Sequence, residues 1–473
     1  MVKIENLSFC YPNSEEASLH GIDLEIRPGE CVLLCGESGC GKTTVTRLLN
    51  GLIPHYYEGT LEGRAEVCGA DIRETPPEQL SAKVGSVFQN PRSQFFCVDT
   101  TGELAFGCEN MELPEDEIRA RIAKTVREMQ IEALLDRNIF NLSGGEKQKI
   151  ACAGISAMQP ELLVLDEPTS NLDADAIGML AEILKLWKQS GKTVVIAEHR
   201  LGWLSETADR IILLQNGEIT AEYGNAEFFS KTDAELNSLG LRGCRAETDW
   251  LHGDAGFYPC DPAAPASAEA YRFCDFRFAY QKHRPVLQLD GLEIPKHAVV
   301  AVVGHNGAGK TTFSRCLCGL QKHFKGSIRC GDAVYGSKQL RALCYMVMQD
   351  VNHQLFTDSV LEEVMLGMHA PDEAAALDIL ARMDLTAFRD RHPMSLSGGQ
   401  KQRTAVCSAC LSDREILIFD EPTSGLDFRR MQETAALIRE LRKDKTIFIV
   451  THDMELIAKC CTHILRLERM PEA

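Results

Sequence analysis

A Gly-rich segment ending in Lys-Thr-Thr occurs twice in this chain, and the repetition limits what the chain can fold into. Gly36-Glu37-Ser38-Gly39-Cys40-Gly41-Lys42-Thr43-Thr44 returns as Gly304-His305-Asn306-Gly307-Ala308-Gly309-Lys310-Thr311-Thr312. Two further segments repeat behind it in the same order. Leu142-Ser143-Gly144-Gly145-Glu146-Lys147-Gln148 answers to Leu396-Ser397-Gly398-Gly399-Gln400-Lys401-Gln402, and Leu165-Asp166-Glu167-Pro168-Thr169-Ser170 to Phe419-Asp420-Glu421-Pro422-Thr423-Ser424. The offset is 268 at the lysines and 254 at the other two segments, so the first half carries 14 extra residues between its first and second motifs. A repeat this long is a whole domain used twice, not the short unit of a solenoid.

The apolar runs inside each half are short and continuous. Glu161–Leu165 and Thr193–Ala197, with Ile416–Phe419 and Thr446–Val450 in the second half, read as parallel strands buried on both faces. Asp175–Gln189 and Arg429–Arg442 have helical spacing and fill the crossovers, which makes each half α/β. The expected division is a first domain over 1–240, a linker over 241–269 and a second domain over 270–473. Within the linker, Cys260–Ala268 is rich in Ala and Pro and reads as extended.

Both Gly-rich loops follow an apolar run, Glu30–Cys35 or Ala298–Val303, and precede a helix. Glycines let backbone N–H groups wrap a polyphosphate, and the helix start adds a favourable field. In that frame Lys42 and Lys310 reach the β- and γ-phosphates, and the hydroxyls of Thr43 and Thr311 coordinate magnesium. Asp166 and Asp420 end buried strands, the edge of an α/β sheet where ligands bind, and are placed for the metal's hydration shell. Glu167 and Glu421 then polarise the water that attacks the γ-phosphate. His199 and His452 follow the next strand at matched spacings and read as γ-phosphate sensors; Gln89 and Gln349, after Val84–Phe88 and Cys344–Met348, join the metal and water network. Ser143 and Ser397 look like N-caps of helices whose first N–H groups form a second anion site. Each half therefore offers a loop and a capped helix start. Head-to-tail packing of the halves would place ATP between the loop of one and the helix start of the other.

Net charge of −18 argues against a protein that coats nucleic acid, because phosphate binding needs concentrated positive charge. The excess acid lies in residues 1–270, about −20, against about +2 for 271–473. The 19 cysteines are scattered through a long chain that opens directly into strand-like sequence without a signal peptide, so they read as reduced, mostly buried small hydrophobes and not as a disulfide framework. No apolar run approaches the roughly 20 residues that span a bilayer. Any membrane role falls to partner chains.

With these residues in view, the chain resembles a tandem ABC-type ATPase, two nucleotide-binding domains in one polypeptide. The resemblance implies two P-loop NTPase domains, each a RecA-like parallel-sheet core with a helical signature subdomain and a small antiparallel β subdomain. It also implies ATP hydrolysis with Mg2+ as cofactor and an intramolecular pseudo-dimer. Gly36–Thr44 and Gly304–Thr312 look like Walker A, Asp166-Glu167 and Asp420-Glu421 like Walker B with the catalytic base, and Ser143–Gln148 and Ser397–Gln402 like the signature. Asn171-Leu172-Asp173 and Gly425-Leu426-Asp427 look like D-loops. Tyr11 and Tyr280 sit where the family places an aromatic ring against adenine. Two positions depart from the pattern: Glu146 stands where Gln400 keeps the usual Gln, and Cys40 where the second half has Ala308. Cys40 reads either as a small filler or as an alkylation-sensitive thiol that ATP would shield.

After Gln89 the chain continues Asn90-Pro91-Arg92-Ser93-Gln94-Phe95-Phe96 and later Gly102-Glu103-Leu104-Ala105-Phe106-Gly107; after Gln349 it has Asp350–Phe356 and then Val360–Gly367. These stretches are similar to those of the ATPases of energy-coupling-factor importers of vitamins or transition-metal ions. That likeness implies a transmembrane scaffold (T) subunit whose coupling helices this region grips, a substrate-binding membrane (S) subunit, and a place at the cytoplasmic face of the cell membrane. Phe95, Phe96, Leu355 and Phe356 read either as part of that grip or as ordinary core. The rival is a tandem ABC protein acting on ribosomes or nucleic acid. Such proteins join their halves by a long charged helix, unlike the acidic, Pro/Ala-rich linker here. A tandem sugar-importer ATPase often has degraded motifs in one half, whereas here both sets are complete.

Overall fold

In the computed structural model, which describes residues 1–12, 16–89, 93–170, 172–244, 255–261, 269–281, 284–321 and 323–468, the two sets of apolar runs build two separate central sheets. The chain divides into two units, Met1–Arg245 and Ala246–Ala473. The central sheet of the first runs in the order Glu218–Gly224, Arg210–Gln215, Cys31–Cys35, Thr193–Ala197, Leu162–Asp166, Val84–Val87. Every pair is parallel except the first. Cys31–Cys35 and Thr193–Ala197 are buried at every position, as continuous apolar runs require when helices cover both faces.

The second unit repeats the order with Gly256–Pro259, His463–Arg466, Val299–Val303, Thr446–Val450, Ile416–Asp420 and Cys344–Val347. Each unit also has an antiparallel sheet beside the core. Leu19–Ile26, Val2–Cys10, Thr60–Val67 and Ala70–Asp71 form it in the first, and strands around Ala270–Gln281 in the second. A helical portion leads to each Ser-capped helix: Thr100–Asn110 and Glu115–Met129 before Gly144–Met158, and Val360–Met365 and Glu373–Arg382 before Gly398–Leu411. Both units are P-loop α/β folds. Part of the first half's extra length is visible as the longer helix Thr100–Asn110 and the short helix Leu52–His55.

The expected linker is shorter than 241–269. Leu241 is buried in the first unit's core, and its backbone N–H bonds to Leu236. Further on, Gly256–Pro259 is an antiparallel edge strand on His463–Arg466, with Phe257 stacked on the His463 ring at 4.9 Å between centroids. An edge beside a parallel sheet leaves a row of unpaired backbone groups, and this strand covers it. Most of the Ala/Pro-rich run, 262–268, lies outside the described residues, as do Asn90, Pro91, Arg92 and Asn171. All 19 cysteines are free thiols. Among the described residues no helix is long and apolar enough to cross a membrane.

Candidate nucleotide site

Each Gly-rich loop leaves the end of a central strand and enters a helix, Lys42–Leu49 or Lys310–Leu317, with no side-chain cap on its first N–H groups. Gly36, at φ +147°, passes so close to the neighbouring strand that a Cβ there would sit 2.2 Å from the Leu214 carbonyl oxygen; Gly304 stands in the same relation to Leu467. Only glycine allows that approach. The loops curl back on their lysines. Lys42 Nζ, buried, donates to the carbonyls of Gly36 and Glu37 at 2.9 Å each, and Lys310 Nζ to those of Gly304 at 2.6 Å and His305 at 3.2 Å. Uncapped N–H groups around a buried ammonium suit a polyphosphate.

The hydroxyl of Thr43 donates to Asp166 Oδ1 at 3.2 Å, bringing two hard oxygen donors together, as Mg2+ binding requires. Burial, then the charge of Glu167, pushes the Asp166 carboxyl up to about 6, while Thr43, Arg47 and Lys42 pull the other way. Asp420 is likewise raised to about 6 by burial, against the charges of Lys310 and Arg315. An ionisable carboxylate in so apolar a place gains from a cation beside it.

Glu167 and Glu421 both adopt left-handed backbone, φ 43° and 50°, held by hydrogen bonds from their N–H groups to the carbonyls of Ala197 and Val450 at 2.8 Å. Strained backbone of this kind persists only where its surroundings fix it. In the first unit Gln89 Nε2 donates to Glu167 Oε2 at 2.8 Å, and His199 Nε2 lies 3.3 Å from Oε1. Gln89, Glu167 and His199, all identified from sequence, thus converge on one carboxylate. The second unit differs. His452 Nε2 is 4.0 Å from Glu421 Oε1, and the Thr451 hydroxyl donates to Oε2 at 3.0 Å. Neither Thr311 nor Gln349 makes a side-chain hydrogen bond to Asp420 or Glu421, and both are exposed. Spacing did not single out Thr451, nor Glu198 at the corresponding place in the first half.

Tyr11 and Tyr280 reach the loops through their hydroxyls, 3.4 Å from Thr44 Oγ1 and 3.2 Å from Thr312 Oγ1. Arg47 donates to Tyr11 at 2.9 Å, while Tyr280 is largely exposed. Cys40 is buried 3.8 Å from Lys42 Nζ. Burial raises its thiol pKa against the opposing lysine charge, and Ala308 is likewise buried at the matching place in the other half.

Ser143 and Ser397 cap the helices Gly144–Met158 and Gly398–Leu411. Each forms a reciprocal box with the third helical residue. Ser143 N–H donates to Glu146 Oε2 at 2.7 Å, and Ser397 N–H to Gln400 Oε1 at 2.9 Å. Glu146 therefore keeps the geometry of the Gln it replaces, and its second oxygen takes Arg137 at 3.0 Å. Ser143 and Gly144, like Ser397 and Gly398, are exposed.

The model of the family described as ABC transporter matches residues 19–170 and 287–424. A Treponema denticola protein bearing the name ABC transporter ATP-binding protein is 45% identical over 468 residues, 99% of this chain and 95% of its own length. The Bacillus subtilis protein YkoD, named as an HMP/thiamine import ATP-binding protein, is 32% identical over 99% of this chain and 90% of its own. The solved RNase-L inhibitor structure superposes with a TM-score of 0.64 over 98% of this chain and 90% of its own, at 20% identity, a likeness of fold alone. With the family model matched once in each unit, this chain belongs to the ABC transporter ATP-binding proteins as a tandem ATP hydrolase.

Proposed function

We propose that the chain powers an energy-coupling-factor importer of a vitamin or transition-metal ion, and that its two units close head to tail around ATP. The observation that carries the reading is a pair of exposed aromatic rings at matched places. Phe96 is 73% exposed and Phe356 70% exposed, in the loops that follow Gln89 and Gln349, whereas Phe95 packs on the core and Leu355 lies within it. Phe96 stacks on Phe106 and lines a cleft of about 690 Å³ with Phe88, Phe106, Met111 and Met158. An exposed apolar cleft beside the Gln89 strand suits an amphipathic helix of a membrane scaffold. The import role in YkoD's name points the same way. Such a partner would hold the chain at the cytoplasmic face of the membrane.

In this reading the loops and their lysines, Lys42 and Lys310, bind the ATP phosphates, and Tyr11 and Tyr280 flank the base. Thr43, Asp166 and Gln89 in one unit, and Thr311, Asp420 and Gln349 in the other, would hold Mg2+, which supplies charge neutralisation to the phosphate oxygens when bound. Glu167 and Glu421 orient the attacking water and accept its proton. His199 and His452 fix those carboxylates and report the γ-phosphate. The Ser143 and Ser397 helix starts complete the other unit's site, so closure depends on ATP.

The test is gentle detergent extraction of membranes and identification of what co-purifies with the tagged full chain. A multi-span scaffold with a small substrate-binding membrane protein is expected. Recovery only with ribosomes, under conditions that preserve membrane complexes, would overturn the import reading.

A further inference from the structure

Aligned on their histidines, the segments that follow the strands Thr193–Ala197 and Thr446–Val450 read Glu198-His199-Arg200 and Thr451-His452-Asp453. The acid stands before the histidine in one half and after it in the other. Both acids make the same bond. In the second unit the Thr423 hydroxyl donates to Asp453 Oδ2 at 2.7 Å, and Thr423 lies two residues past Glu421. In the first unit the Thr169 hydroxyl, two residues past Glu167, donates to Glu198 Oε1. Thr169 and Glu198 are fully enclosed, 0% and 2% exposed. Arg200 cannot accept a hydrogen bond, so a side chain at position 200 leaves Thr169 without the acceptor that Asp453 provides for Thr423.

The exchange has a second consequence. Thr451 Oγ1 donates to Glu421 Oε2 at 3.0 Å and also accepts the Asp453 N–H at 3.0 Å. Glu198 at the same place faces Thr169 instead, and the Glu167 carboxylate draws on Gln89 at 2.8 Å and His199 at 3.3 Å. Burial, with the nearby Glu167 charge, holds the Glu198 carboxyl well above the usual carboxylate range.

We propose that Glu198 is a positioning residue of the first ATP site alone: through Thr169 it ties the strand carrying His199 to the turn carrying Glu167, a task that Asp453 performs in the second unit. This rests on Glu167 acting as the base. The two sites are then not equivalent: both have a buried acid tied to a threonine, but the Glu167 carboxylate draws on Gln89 and His199 whereas the Glu421 carboxylate takes the Thr451 hydroxyl.

The experiment is a double-mutant cycle in the full chain carrying Glu421→Gln, so that turnover reports the first site, measuring kcat and KM for ATP. Glu198→Ala and Thr169→Val should each lower kcat about 5-fold or more, with KM within about 2-fold. The double variant should be no slower than the worse single one, because both remove one bond. Glu198→Gln keeps an acceptor and should retain at least half of the kcat of the Glu421→Gln parent. Glu198→Thr/Arg200→Asp, which installs the second unit's arrangement, should do the same. Additive losses, an unchanged kcat in Thr169→Val, or a Glu198→Gln variant as slow as Glu198→Ala would overturn the proposal. Thr169→Val is nearly isosteric, so the cycle can be read from it and Glu198→Gln should Glu198→Ala fail to fold. A Glu167→Gln variant run alongside separates the two readings: normal turnover there removes the base assignment, while loss there with an additive cycle removes only the role of Glu198.

Discussion

Glu103 accepts the backbone N–H of Phe96 on its Oε2 at 3.0 Å, and that single oxygen also takes the N–H of Cys97 at 2.9 Å. Glu363 repeats the arrangement with Phe356 and Thr357, both at 3.0 Å. Both glutamates are buried, and both aromatic rings are exposed. A buried carboxylate held by backbone N–H groups fixes a loop firmly, so the two rings are presented to solvent by design of the fold and not by loose packing. The sequence alone left Phe95, Phe96, Leu355 and Phe356 open between core and surface; the structure splits each pair, one side chain inward and the ring after it outward.

Phe96→Ala and Phe356→Ala together should weaken retention of the membrane scaffold at least 10-fold, read as the amount co-purified after equal washing. ATP hydrolysis by the isolated chain should change little, because neither ring touches a loop lysine or a Glu167-type carboxylate. Glu103→Ala acts one step earlier. It strands two N–H groups, each unmet donor costing about 1–3 kcal/mol when buried, and should lower both the melting temperature and scaffold retention.

Glu167→Gln and Glu421→Gln test the chemistry. A positioned general base contributes roughly 10²–10⁴ in rate, so the double variant should lose about 100-fold or more in kcat while still binding ATP in a filter or fluorescence assay. The Gln side chain keeps the shape and can still accept from Gln89 or Thr451. Normal turnover by the double variant would remove the base assignment.

Much of this was legible from the chain because the repeated motifs are local. A Gly-rich loop, a Ser-x-x-Glu/Gln cap and a strand ending in Asp-Glu each draw their meaning from residues a few places apart. What escaped depends on contacts across long stretches. Gly256–Pro259 is a strand only because His463–Arg466 lies beside it, some 200 residues on, and a short edge strand has little propensity signal of its own. Glu198 reads in sequence as an acid two places before an arginine, a pattern common on surfaces. Its burial follows from its place at the end of a fully enclosed strand, facing Thr169.

Cys40 provides a test by pH. Its thiol pKa is raised, first by burial, and the thiolate is the nucleophile. At pH 7 its labelling by a maleimide should therefore be slower than that of an unhindered cysteine, and should speed up roughly tenfold per pH unit while the protein stays folded. Mass spectrometry of labelled peptides checks this. Fast labelling of Cys40 at pH 7 would show an open loop with an activated thiol instead.

Glu146 makes the last prediction, because it is the one signature position where the two units differ in charge. Burial works against its ionisation, but the hydrogen bonds from Ser143 and the Arg137 guanidinium outweigh it and hold the carboxyl below its ordinary 4.5. A group whose folded pKa is depressed adds stability that is fully present above the unfolded value and is lost as pH falls through the folded one. Glu146→Gln keeps the capping box, as Gln400 shows with its 2.9 Å bond from Ser397 N–H, and removes only the ion pair with Arg137. The melting temperature of Glu146→Gln should then lie below that of the wild type at pH 7, and the gap should close as pH is taken from 5 toward 3. The effect is small because both side chains are partly exposed and solvent screens the pair. Raising salt at pH 7 should narrow the gap as well, since screening weakens the ion pair and leaves the cap untouched. A gap independent of both pH and salt would assign the difference to the cap and not to the charge.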